Sequence, residues 1–139
     1  MTDFVLDASV ALAWCFEDEN TTSARQILAR LVTEAASVPA IWPIEVANVL
    51  ALAERRQRIT PANSSEFIAK LEDMVILVDG ETSSRAFGRI LDLAREEHLT
   101  AYDAAYLELA MRLGVPLASK DAGLCNAAER LGIAVLRAD

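Results

Sequence analysis

The chain has 139 residues, 53% of them hydrophobic, with 21 acidic against 13 basic side chains and a formal net charge of −8. That is enough chain for one domain with a proper core, and its acidity excludes a generic polyanion binder, so any nucleic-acid contact has to be local. No apolar run approaches a membrane span and no basic-then-apolar leader opens the sequence, which points to a cytoplasmic protein.

In chain order, Phe4, Val5 and Leu6 form a short apolar run of buried-strand type that ends at Asp7. A brief helix is predicted over residues 10–16, then a solvated acidic loop at 17–20. Thr21 or Thr22 can cap a helix running to about Ala36. A short strand over 38–40 precedes a helix that carries Pro43 in its first turn and continues to about Arg58. Thr60 and Pro61 open a helix ending near Met74, and residues 75–78 read as a strand. Helix is predicted over 82–97, with His98 and Leu99 as connector, and again from the cap Thr100 to Gly114. A strand over 115–118, a helix from Asp121 to Gly132 and a last strand over 133–136 complete the pattern. Short β-branched runs alternating with helices argue an α/β domain with a mostly parallel sheet over residues 1–139. Cys15 and Cys125 lie in predicted helices among apolar neighbours and read as reduced packing residues, outside any CxxC or Cys/His metal pattern.

Four acids interrupt otherwise apolar segments: Asp7 in FVLDASVALAW, Glu45 in PIEVANVLALA, Asp103 in TAYDAAYLELA and Asp121 in PLASKDAGL. Carboxylates beside core-forming segments are costly to bury unless something positive compensates them, and a divalent cation does so most simply. In parallel sheets ligands bind beyond the carboxyl ends of strands, where Asp7 and Asp121 both fall. Each acid also has a plainer reading. Asp7 or Ser9 can merely cap the next helix, and Asp121 can cap its own. Glu45 can be a dipole-favoured surface acid, although its helix is apolar nearly all round until Glu54. Asp103 stands three residues after Thr100, close to a capping box. Ser9 and Ser119, each two positions from an acid, and Asn48, one turn after Glu45, are candidate hydrogen-bond supports.

Other groups read as structural. His98 suits a polar helix end. Arg55, Arg56 and Arg58 complement a helix C-terminus, with a phosphate contact as the alternative. Trp14, Trp42, Tyr102 and Tyr106 read as core or interface aromatics rather than a base-stacking platform. No Walker loop, GxGxxG or GxSxG occurs.

Together these segments resemble the PIN-domain ribonucleases, most closely the VapC-type toxins of bacterial type II toxin–antitoxin systems. The resemblance lies in VLDASVALAW, EVANVLALAERR, LTAYDAAYLELAMRLGVPLAS and KDAGL, and so spans essentially the whole chain. It implies a three-layer α/β/α sandwich with a short central sheet. It also implies metal-site roles for Asp7, Glu45, Asp103 and Asp121, an RNA substrate, a VapB-like antitoxin and a homodimer. Ser119 stands where the family more usually has threonine, and keeps the hydroxyl. The hard ions Mg²⁺ or Mn²⁺ suit an all-oxygen donor set and would activate water for phosphodiester hydrolysis. Asp7, Asp103 and Asp121 would bind the ion directly or through water, and Glu45 would bind it or orient the attacking water.

Other readings are a PIN-fold module that binds RNA or protein without cutting and a phosphohydrolase of the haloacid dehalogenase type, whose second aspartate is here Ser9. A receiver-like signalling domain would use Asp79 after Val78, but lacks paired acids after the first strand.

Overall fold

The computed structural model describes residues 1–139. Five three-residue strands, β1 (Phe4–Leu6), β2 (Ala36–Val38), β3 (Ile76–Val78), β4 (Leu117–Ser119) and β5 (Val135–Arg137), form one sheet in the order β3-β2-β1-β4-β5. Every neighbouring pair is parallel, with Val5 level with Ser37 on one side and Leu117 on the other. Parallel strands need crossovers, and these are helical: α1 (Ala8–Ala13), α2 (Thr22–Arg30), α3 (Trp42–Arg55), α4 (Pro61–Glu72), α5 (Thr82–Arg85), α6 (Leu91–Glu97), α7 (Ala101–Leu113) and α8 (Ala122–Arg130). The strand order runs one way from β1 to β3 and the other way through β4 and β5. Right-handed crossovers therefore place α1–α4 on one face and α5–α8 on the other. Contacts of α1 with α2 and α3, and of α7 with α6 and α8, fit that division. The fold is an α/β sandwich of the expected class.

The local reasons are readable. Phe4, Val5 and Leu6 are fully buried, as a central parallel strand covered on both faces requires. Thr21, Thr60 and Thr100 each accept a backbone N–H at a helix start. Gly114 ends α7 and Gly132 follows α8, both at positive φ. Trp14 packs beside the core and donates its indole N–H to the Ala24 carbonyl, and Trp42 is buried, as expected of core aromatics.

Boundaries moved in several places, and the last two strands start two residues late, at Leu117 and Val135. The helix expected to reach Ala36 stops at Arg30, because Ala36 is claimed by the sheet through its N–H to the Val75 carbonyl. The second strand sits two residues upstream of its predicted position, since Pro39 has no N–H to give a ladder. The first helix starts at Ala8, directly after Asp7, instead of residue 10. The helix expected over 82–97 is broken into α5 and α6 by a five-residue wide turn, Ala86–Ile90, containing Gly88 at φ −102°, ψ −105°.

Candidate active site

The strand order reverses direction between β1 and β4, which opens a crevice at their carboxyl ends. Asp7 leaves β1 and Asp121 follows β4 at that crevice. Glu45 enters it from the first turn of α3, and Asp103 from the first turn of α7.

Asp7 is 6% exposed. It occupies the N-cap position of α1 and makes no side-chain cap hydrogen bond there. Its Oδ2 instead accepts the Ser9 and Ser119 hydroxyls, both at 2.7 Å. Those serines are held in turn, Ser9 Oγ by the Lys120 N–H and Ser119 Oγ by the Asp121 N–H. Both hydroxyls expected to support the acids do so, at Asp7. Burial pushes the Asp7 carboxyl up, the serines pull it down, and Asp121 pushes it up again.

Glu45 Oε1 accepts the Tyr106 hydroxyl at 2.6 Å. Burial raises its pKa, Tyr106 lowers it, and the charges of Asp7 and Asp103 raise it further. Asn48 is exposed and lines the same cleft without hydrogen-bonding Glu45. The support that Asn48 was expected to provide comes from Tyr106, a fully buried side chain. The sequence signal for it existed: a tyrosine within a buried helix has to find a partner for its hydroxyl.

Asp103 follows Thr100, whose hydroxyl accepts the Asp103 N–H. Its carboxylate does not reach back to complete a capping box. Burial, then the charges of Asp7 and Asp121, push that free carboxyl up to about 6. Asp121 caps α8: Oδ1 accepts the Gly123 and Leu124 N–H groups, and Oδ2 has no protein partner.

The acids are thus linked by repulsion, Asp7 with Asp121, Glu45 with Asp7 and Asp103, and Asp103 with Asp7 and Asp121, and no lysine or arginine enters the balance at Asp7, Glu45 or Asp103. No three of them stand close enough to form a ready-made cage around one ion. Mg²⁺ does not need one, because it keeps several waters and binds through one or two carboxylates. An all-oxygen donor set with uncompensated mutual repulsion fits such an ion.

The remaining expectations resolve plainly. Asp79 is no free phosphoacceptor: burial would raise it, but Arg112 and Thr82 hold it below the usual carboxylate range. Arg58 is committed to Asp18 and Glu19 and lies 4.1 Å over the Phe16 ring. His98 ends α6 in the left-handed conformation. Cys15 and Cys125 are free thiols. Tyr102 does not belong to the core: it is 63% exposed.

A doubly wound parallel sheet with acids gathered at its switch point defines an α/β domain with an acidic crevice. The chain belongs to the PIN domain family, whose sequence profile matches residues 4–130. Its fold is shared with PAE2754 from Pyrobaculum aerophilum (24% identity, TM-score 0.69, 97% of this chain and 84% of that one). It is also shared with VapBC2 from Rickettsia felis bound to a DNA fragment from their promoter (11%, 0.70, 99% and 100%). FitAcB from Neisseria gonorrhoeae matches as well (20%, 0.63, 95% of each). No curated protein sequence matches the chain significantly. No helix is long and apolar enough to cross a membrane.

Proposed function

We propose that this chain, as one PIN domain over residues 1–139, is a Mg²⁺- or Mn²⁺-dependent endoribonuclease acting in the cytoplasm as the toxin of a toxin–antitoxin pair. The observation that carries the reading is the gathering of Asp7, Glu45, Asp103 and Asp121 at the β1/β4 switch point with no basic counter-charge. Membership of the PIN family supports nuclease chemistry. The VapBC2 and FitAcB neighbours support a VapB-like antitoxin partner. Exposed apolar residues on β3 and α4, among them Leu77, Val78 and Ile68, support a protein interface, for the antitoxin or for a second copy in a homodimer.

A bound divalent ion would lower the pKa of water and offset charge on the phosphodiester. The protein's own part is positional. Ser9 and Ser119 fix Asp7, Tyr106 fixes Glu45, and the α8 backbone fixes Asp121, so three of the four acids are oriented by the protein itself. Glu45 Oε2, free of protein partners, is placed to orient water and accept its proton. Attack of that water on phosphorus forms one P–O bond and breaks the bond to the 3′ oxygen, which takes a proton from solvent, leaving a 3′-hydroxyl and a 5′-phosphate.

Incubation of the purified protein with mixed cellular RNA tests this directly. Cleavage is expected with Mg²⁺ or Mn²⁺, none with chelator, and none by a folded Asp7→Asn variant. Full activity in Asp7→Asn, or products ending in a cyclic phosphate, would overturn the assignment. RNA binding without cleavage would favour the non-catalytic module.

A further inference from the structure

Glu45 and Asp103 both line an open cleft of about 730 Å³, within the size range of small-ligand sites. Beside each acid the sequence places a large apolar side chain that the fold leaves outside the core: Ile44 is 72% exposed and Tyr102 is 63% exposed. Both line this cleft, with Ala40 and Ala86 adding apolar wall. An exposed ring is unexplained by packing, and the cleft wall contains no lysine or arginine to hold a phosphate. Basic groups on the elements around it are engaged elsewhere, Arg112 of α7 with Asp79 and Glu108, Arg85 of α5 with Glu81, and the Lys120 ammonium before α8 with the Glu19 carbonyl. A strand seated with its phosphate at the acids therefore needs a neutral source of affinity close by. A nucleobase next to that phosphate is the group that must enter this cleft, and aromatic stacking is the sequence-tolerant way to hold it.

We propose that Tyr102, backed by Ile44, forms a subsite that stacks an unpaired nucleobase flanking the scissile phosphate. The inference rests on the nuclease reading above and adds where the strand is gripped. The hydroxyl is not required, since stacking uses the ring face.

The test compares wild type, Tyr102→Ala and Tyr102→Phe on a short single-stranded oligoribonucleotide and on the same strand with an abasic residue beside the cleavage point. Because Tyr102 is exposed, an unchanged melting temperature is expected in both variants. Tyr102→Ala should raise KM about tenfold on the intact strand with a smaller change in kcat, and Tyr102→Phe should recover most of that loss. On the abasic strand the alanine penalty should vanish. Equal kinetics for Tyr102→Ala and wild type on the intact strand overturn the subsite and leave the exposed ring to a protein contact; an equal penalty on both strands also overturns it. Binding of the intact strand to Asp7→Asn, with and without Tyr102→Ala, separates the two readings. Tyr102-dependent binding with no cleavage by wild type removes the nuclease and keeps the subsite, whereas wild-type cleavage without Tyr102 dependence removes the subsite alone.

Discussion

Tyr106 and Asp103 show how differently two residues of one helix turn can be treated. Tyr106 is completely buried, yet its hydroxyl donates to Glu45 and lies 3.4 Å from the Ala8 N–H, so it ties α7 to α3 and α1 through the site. Tyr106→Phe keeps the ring packing and removes that donor. It should cost about 1 kcal/mol of stability in urea unfolding and lower kcat about tenfold while leaving KM little changed. An unaltered kcat would show that Glu45 needs no positioning. Asp103 has the opposite problem, a carboxylate half removed from water and then set among neighbours of the same sign. Its pKa rises from 3.8 to about 6, so the folded chain holds a proton that the unfolded chain has released between those values. Stability of the metal-free protein should therefore fall as pH rises through that window, and Asp7 and Glu45 shift in the same direction. Thermal melts from about pH 4.5 to 7 should show this slope, and Asp103→Asn should flatten it. A melting temperature that climbs with pH over that range would contradict the mutual repulsion.

At the scale of elements, the carboxylates are only as well placed as the helix starts that carry them. The α5 side of the cleft is anchored by Thr82, whose hydroxyl donates to Asp79 and accepts the Ala40 N–H. Asp79 is in turn gripped by Arg112 of α7 at 2.7 Å, and Arg112 also meets Glu108 at 2.8 Å. This bridge locks α7, which carries Asp103 and Tyr106, to the β3–α5 connection. Arg112→Met would strand the Glu108 charge, which is almost completely buried, and should cost about 3 kcal/mol in urea unfolding. Adding Glu108→Gln should restore part of that loss; no recovery would mean the bridge acts chiefly through Asp79. The Thr100 cap was legible from its sequence, but the capping box was not completed. The Asp103 side chain leaves the backbone for the cleft.

For the whole molecule the governing number is the net charge of −8. Most arginines are spent on internal or surface ion pairs, so an RNA strand meets few free cations. Binding should accordingly weaken only shallowly with salt, by a log–log slope of no more than about −1.4, the value for two phosphate contacts on a single strand. Anisotropy titrations of the Asp7→Asn protein measure it, and a slope several times steeper would reveal a basic track the fold does not display. Mg²⁺ should raise the melting temperature, more so above about pH 6, where Asp103 has given up its proton and protons compete least for it.

Strand-and-helix alternation, threonine caps and terminating glycines were sufficient to specify an α/β domain, because each depends on a residue and its near neighbours. The acids stood out for the same local reason, as charges set in apolar runs. Their convergence was not local. Asp7 meets Ser119 across 112 positions of sequence and Tyr106 meets Glu45 across 61, contacts decided only when the reversal of strand order brought β1 and β4 side by side. The same holds for which aromatic is buried and which is presented. Tyr102 and Tyr106 lie four residues apart on α7, and only the packing of that helix between sheet and neighbours leaves the first in the cleft and the second beneath it.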